Sequence, residues 1–378
     1  MAGFLRVLED EAHNARPSSQ RQLEFDQSPL EVRMFNVGAG EAILLVFPGN
    51  RAWLIDGGAT NSPDHNEILG QGLVDYLSER HLALEAFVPS HPHVDHVGGV
   101  ATILDRGGAV LAPSMTIYQS DDPTWDLDRA WLNDLRAKIA ALGSQVQVLR
   151  LRDAHREVMI ADEVRAHLFA ESGDGAYTSI FLDLRFRGAR LLFTGDAHCP
   201  YEKELLDRFG EEDFRADVLK VTHHGSSSGT ATRVVDAVRP GIAIASTCDD
   251  SGHTLELDTL TRLGGRPGPR VVYETLVDGD IILQTDGGDY RGGILYQVEF
   301  GPGAEDAEQG RAGHVGEPLE LLVQGPDLFP QGHVPPGQRS KRRLRRLGGT
   351  GHHTIRSRTP ENLQRTYREP QFWRAPPS

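Results

Sequence analysis

The residues best suited to chemistry fall together in Ser90-His91-Pro92-His93-Val94-Asp95-His96-Val97-Gly98-Gly99, where four metal-binding side chains occupy six positions. An apolar run, Ala86 to Val88, leads into them. Side chains of an extended segment alternate faces, so His91 and His93 project to the same side. Asp95 and His96 come just before Gly98-Gly99, which lets the chain turn tightly into a helix. Neutral imidazole is the commonest metal ligand, and a carboxylate beside it suits zinc, manganese or iron. One histidine alone would more often be structural. Four donors at this spacing predict a metal site.

Further polar clusters close other apolar runs. Asp56 stands between Leu54-Ile55 and Gly57-Gly58, and Asp196 ends Phe193-Thr194-Gly195-Asp196. Thr222-His223-His224-Gly225-Ser226 follows the run from Asp217 to Val221, and His253 precedes a helical pattern beginning at Leu255. Taken singly, the two aspartates read as turn residues and His253 as a loop histidine. Adjacent histidines in an extended chain point to opposite sides, so one of His223 and His224 faces a given metal, and the alternation does not say which.

Stepping outward, alternating and continuous apolar patterns predict strands near 32–37, 42–47, 52–55, 86–88, 145–149, 164–169, 179–186, 190–193, 217–221, 241–246, 271–273, 280–284 and 294–300. The 3.6-residue period predicts helices near 68–82, 100–104, 125–142, 201–209, 234–238 and 255–263. Strands and helices thus run in two comparable halves, before and after about residue 160, which suggests helices covering two packed sheets. Residues 1–28 are a polar arm, 29–300 the folded domain, and 301–378 a disordered tail rich in Gly, Pro, Glu and Gln.

The tail is the one basic region. Between Arg339 and Arg368 there are ten Arg or Lys against one acid, a local +9 in a chain of net charge −15. The acidic body disfavours passive binding of nucleic acid, and the 339–368 run is either solvated or a docking patch for nucleic acid or a partner. His352-His353 lies in this polar tract and does not read as a ligand pair. Two cysteines, Cys199 and Cys248, exclude a disulfide framework and suit a reduced compartment. The N-terminus carries no secretory pattern, and no stretch approaches the ~20 apolar residues of a membrane span. A cytoplasmic protein without membrane insertion is the expectation.

The pattern His-x-His-x-Asp-His at a strand end resembles the metallo-β-lactamase superfamily of hydrolases. Phe35-Asn36-Val37-Gly38-Ala39-Gly40-Glu41-Ala42, Leu54-Ile55-Asp56-Gly57-Gly58 and Leu219-Lys220-Val221-Thr222-His223-His224-Gly225-Ser226 narrow the resemblance to ComEC-type hydrolases. That branch is the soluble C-terminal domain of the bacterial DNA-uptake channel protein and its free-standing relatives. The resemblance covers roughly residues 30–300 and implies an α/β fold, the four-layer αββα sandwich. None of the membrane-channel portion is present, so a transport role is not expected to carry over. The family implies that Asp196 bridges two metals and that Asp56 orients a metal-ligating histidine from behind. It implies His91, His93 and His223 on one ion, and Asp95, His96 and His253 on the other, with zinc or manganese as the metals. Many superfamily enzymes place another metal histidine between the first loop and the bridging aspartate. Only His155, in a charged turn, and His167, inside an apolar strand, lie in that interval, and neither fits. In the ComEC branch the His-His-Gly-Ser loop supplies the missing ligand.

Two divalent ions about 4 Å apart share a hydroxide, lower its pKa toward neutrality and hold it in line with an electrophile. The expected function is therefore metal-dependent hydrolysis of phosphodiesters. Asp95 would orient the hydroxide, and His224 would protonate the leaving oxygen or grip phosphate. Lys220 and Ser226 would contact phosphate. DNA, RNA, a nucleotide, a cyclic nucleotide or a phosphocholine-type ester all suit such a site. The alternatives are hydrolysis of an ester, thioester or lactone by the same hydroxide, a redox di-iron role, or a silent scaffold acting through its basic tail. Related di-iron proteins carry glutamate where this chain has His93, which weakens the redox reading.

Overall fold

Strand β3 (Arg51–Gly58) is buried along nearly its whole length. Trp53 and Ile55 enter one apolar cluster while Ala52 and Leu54 enter another, the period-2 alternation of a strand covered on both faces. The computed structural model describes Phe25, residues 28–301 apart from 60–61, 153, 172–177, 250–252, 266–267, 270 and 291, and Leu319–Gln324. Within them, β3 belongs to a nine-stranded sheet. Its other strands are β1 (Leu30–Met34), β2 (Glu41–Phe47), β4 (Ala83–Val88), β5 (Leu111–Ser120), β6 (Val146–Leu151), β14 (Ile281–Thr285), β15 (Gly293–Phe300) and β16 (Leu319–Gln324). They lie in the order β16-β15-β14-β1-β2-β3-β4-β5-β6.

The second sheet has seven strands: β7 (Ala154–Ala161), β8 (Val164–Ala170), β9 (Phe181–Phe186), β10 (Ala189–Phe193), β11 (Val218–Lys220), β12 (Ile242–Ala245) and β13 (Val271–Glu274). Their order is β13-β12-β11-β10-β9-β8-β7. The sheets face one another across a core that joins Leu45, Trp53, Ile55 and Val88 to Leu182, Leu184, Leu191, Phe193 and Ile242. On the outer face of the first sheet lie α1 (Pro63–Glu79), α3 (Val100–Arg106) and α4 (Ala130–Leu142), contributing Leu69, Leu73, Ile103 and Leu132, and the single turn α2 (Val94–Val97) follows β4. On the outer face of the second lie α5 (Cys199–Phe209) and α6 (Thr232–Val238), with Leu205, Leu206 and Val234, while α7 (Leu257–Leu263) adds Leu263 to a smaller cluster. The layers are helix, sheet, sheet, helix. β3 to β6 run parallel, as do β10 to β13, so the loops after β3, β4, β10, β11 and β12 leave from carboxyl ends of strands. Open α/β sheets bind ligands at such ends.

Four features depart from the sequence reading. The division into halves near residue 160 fails because β14 to β16 return to the first sheet, with Val32 opposite Leu283. Strands β5 and β7 were not anticipated: Pro113 interrupts the apolar pattern of β5, and β7 is an edge strand whose His155, Arg156 and Glu157 face solvent. The helix expected over 125–142 is broken, because Trp125 sits in a separate turn at Pro123–Asp126 where Asp122 caps the Thr124 N–H. Finally, Leu319–Gln324 is not part of a disordered tail: it pairs with β15 and buries Leu321, Leu322 and Val323. The arm at 1–28, the Arg-rich run at 339–368 and His352-His353 fall outside the described residues, apart from Phe25 and Ser28. Among those described, no helix is long and apolar enough to cross a membrane.

Candidate metal centre

The first sheet supplies one side of the centre. Asp56 ends the apolar part of β3 in a left-handed conformation (φ 54°) and is fully buried. Its Oδ1 accepts the Ser90 N–H at 2.7 Å, and its Oδ2 accepts the Ser90 hydroxyl at 2.7 Å and lies 2.8 Å from His96 Nδ1. A carboxylate only accepts, so His96 Nδ1 carries the proton and a neutral ring turns the Nε2 lone pair inward. Gly58 makes this approach sterically feasible. A Cβ there would stand 2.3 Å from the Asp95 carbonyl carbon and 2.5 Å from the His96 nitrogen. His91 Nδ1 lies 3.0 Å from Ser90 Oγ, and its Nε2 lies 2.9 Å from His93 Nδ1.

The second sheet supplies the other side. After β10 the chain turns at Gly195 (φ 53°), and the Asp196 N–H donates to Ser179 Oγ at 3.0 Å. After β11 it turns through Thr222–Gly225 with His223 and His224 both left-handed, at φ 53° and 52°. Two successive left-handed residues do not alternate as extended ones do. Both rings therefore reach Asp196 Oδ2, His224 Nε2 at 3.3 Å and His223 Nε2 at 3.8 Å. His224 is buried with Nδ1 3.1 Å from the Ser246 carbonyl, whereas His223 is 28% exposed with Nδ1 2.7 Å from Ser228 Oγ. His253 Nε2 lies 3.5 Å from Asp95 Oδ2.

These groups converge. Asp95, His96, Asp196 and His224 each offer a ligand atom, all within 4.8 Å of one another. His96 Nε2 lies 3.1 Å from Asp196 Oδ2 and 3.3 Å from His224 Nε2. The Nδ1 atoms of both rings face groups that only accept, so two lone-pair nitrogens meet beside two carboxylates. A cation between them resolves the conflict, and the donor set fits a divalent ion. The carboxylates make the centre strongly cation-seeking. Burial opposes a charged His96, but Asp196, Asp56 and Asp95 outweigh it and hold its pKa well above the usual histidine range, so a proton on Nε2 occupies the place that a metal cation would take. Burial would raise Asp196, yet His224 and His96 hold it well below the ordinary carboxylate range. His91 is pushed well down by burial and by His96, and His223 is lowered to about 4, chiefly by burial. Both are then neutral near pH 7, the form that ligates.

Several expected roles shift. His224, expected to stand off the metals, lies in the tightest donor set, because the left-handed turn removes the alternation that set it apart from His223. Lys220 is turned into the protein, toward Glu41 and Asp196. It is fully buried, with Nζ 2.5 Å from Glu41 Oε2, 3.6 Å from Asp196 Oδ1 and donating to the Gly195 carbonyl at 2.9 Å. Ser226 faces its own loop rather than a substrate, with Oγ 3.1 Å from Ser228 Oγ. His155 and His167 lie away from the centre and pair with each other at 2.8 Å. The sequence assigns no role to Ser90, Ser179, Ser228 or Ser246, because short polar residues in loops carry no distinctive spacing. Glu41 had a signal, a charge opening an apolar strand.

Comparison with known proteins adds the lineage. Residues 36–248 match the description "Metallo-beta-lactamase superfamily". The chain belongs to that superfamily. Recombination protein 2 of Haemophilus influenzae is 28% identical over 220 residues, 57% of this chain and 24% of that protein. ComE operon protein 3 of Bacillus subtilis is 25% identical over 233 residues, 57% of this chain and 28% of that protein. The chain thus matches only about a quarter of the length of these curated relatives. Among solved structures, the metallo-beta-lactamase fold protein YhfI of Bacillus subtilis aligns with a TM-score of 0.43 at 15% identity, covering 68% of this chain and all of that one.

Proposed function

We propose that the protein is a hydrolase of phosphodiester bonds that works with two divalent ions, zinc or manganese. The observation that carries this reading is the convergence of His96 Nε2, His224 Nε2 and Asp196 Oδ2 within 3.1 to 3.3 Å of one another. In this reading Asp95, His96, His224 and His253 hold one ion and His91, His93 and His223 the other, with Asp196 between them. The bound ions would supply Lewis acidity and bring the pKa of a water near neutrality.

The chain's own residues prepare that chemistry. Asp56 fixes the His96 ring so that Nε2 stays aimed at the centre. Asp95, 20% exposed at its side chain, is the most exposed of the three carboxylates of the centre, and it would orient a water. His93 is exposed, and His223 is part-exposed, which leaves that flank open to a phosphate group. The basic run at 339–368 would draw polyanionic substrates toward an acidic body, an attraction that falls steeply with salt.

Metal content by mass spectrometry, paired with turnover of bis-p-nitrophenyl phosphate in added manganese or zinc, tests the proposal. Two metals per chain and metal-dependent turnover are expected, and His93→Ala should lose turnover while keeping its fold. A protein that binds no metal and shows no turnover would overturn it.

A further inference from the structure

The loop that carries His223 and His224 departs at Thr222 and returns at Thr230, and both ends are tied to one buried side chain. Glu202, on α5, is fully buried. Its Oε1 accepts the Thr222 hydroxyl at 2.9 Å and the Thr230 N–H at 2.8 Å, and its Oε2 accepts the Ala231 N–H at 2.8 Å. The Thr222 N–H donates to Thr230 Oγ1 at 2.9 Å and closes the base of the loop. Three residues in this stretch, His223, His224 and Thr230, are left-handed without being glycine. Such a conformation persists only when its surroundings over-determine it. Arg262 adds a second hold from α7, donating to the Ser227 and Gly229 carbonyls, each at 2.8 Å.

Glu202 also belongs to the element that Asp196 leads into. Asp196 lies three residues before α5, and Glu202 falls in the first turn of that helix. A side chain fixed to α5 and to both ends of the 222–230 loop therefore sets the distance between Asp196 and the two histidines. We propose that Glu202 is the positioning residue of the metal centre. It touches no ligand atom, and it acts by clamping Thr222, Thr230 and Ala231 so that His223 and His224 turn together toward Asp196. The proposal rests on the metal-binding reading above, but the clamp itself can be read without metal.

Glu202→Gln is the informative change. A glutamine keeps the volume but turns an NH2 toward one of the two backbone N–H groups, so at least one acceptor is lost and two donors meet. Hydrogen exchange in the full chain without metal should show Thr230 and Ala231 losing protection while β3 amides keep theirs. Titration of the same protein with zinc against a competing chelator should show affinity lower by about 10- to 100-fold, the range for outer partners of metal ligands. Thr222→Val, which removes one of the three bonds, should show the same pattern more weakly and serves if Glu202→Gln does not fold. Wild-type zinc affinity in either variant would overturn the proposal, as would protection lost evenly over the whole protein. If the wild-type chain binds no zinc, the metal reading fails separately, and a local loss of protection at Thr230 and Ala231 would still establish the clamp.

Discussion

The two sides of the centre are built by different means. On the first sheet, one left-handed residue, Asp56, ends a strand, and Asp56, His91 and His96 are held by a close glycine approach and short contacts with Ser90. On the second, Asp196, His223 and His224 depend on left-handed backbone and on buried charges, Lys220 against Glu41 and Glu202 against the loop. The Lys220–Glu41 pair also joins the sides, since Glu41 opens β2 of the first sheet and Lys220 ends β11 of the second. Regular structure is inexpensive to hold in place. Strained structure needs anchors, and here they are a buried ion pair and a buried carboxyl group hydrogen-bonded to the loop.

Breaking the tie between the sides should have the largest effect. Lys220→Met leaves Glu41 buried without its partner, a situation that costs roughly 3 to 5 kcal/mol. Urea unfolding should show that loss, and the double change Lys220→Met with Glu41→Leu should recover most of it, because two apolar residues of similar volume replace such pairs at little cost. A raised KM with unchanged stability in Lys220→Met would instead return Lys220 to the phosphate-binding role.

A second anchor between the sheets reports through pH. Asp217, just before β11, accepts the Arg190 N–H at 2.9 Å and the Tyr296 hydroxyl of β15 at 3.1 Å. Burial pushes its carboxyl up to about 6, from an ordinary 3.8. A folded pKa above the unfolded one means the folded state holds more protons between those values. The stabilising contribution is complete below about pH 4 and is lost as pH rises through 6. Asp217→Asn removes the ionisation, so relative to wild type it should gain about 3 kcal/mol at most between pH 4 and pH 7.5. Parallel unfolding curves for the two proteins at both pH values would sink the assignment.

The same contrast explains what could be read before the structure. Sheets covered by helices follow from apolar periodicity, and β3 with its continuous Ala52 to Ile55 run is the clearest instance. The first histidine loop obeys regular rules, so its spacing carried its geometry. The second did not, because alternation applies only to extended chain and φ 53° at His223 leaves no trace in residue types. Lys220 illustrates the same limit, since a lysine in Leu219-Lys220-Val221 beside the histidine loop reads as a phosphate contact until its partner Glu41, far away in sequence, is brought against it. The sheet that β14 and β15 join is not legible for a related reason: which sheet a strand joins is a long-range choice, and β1 opposite β14 is decided by packing.

The smaller predictions compare the outer partners of one histidine from each side. Asp56→Asn keeps the shape beside His96 but removes the charge that fixes the ring's proton on Nδ1. Zinc affinity should fall by about 10- to 100-fold in a competition titration. Ser228→Ala deletes the hydroxyl 2.7 Å from His223 Nδ1. That hydroxyl is neutral and only half-buried, and His223 stays anchored through its backbone by the N–H donated to Gly195 O at 3.0 Å. A neutral hydrogen bond contributes about 1 kcal/mol, so the loss should stay under about tenfold. If Ser228→Ala matched Asp56→Asn, the hydroxyl would be as important as the carboxylate, and the division between a locally held side and an anchored side would not stand.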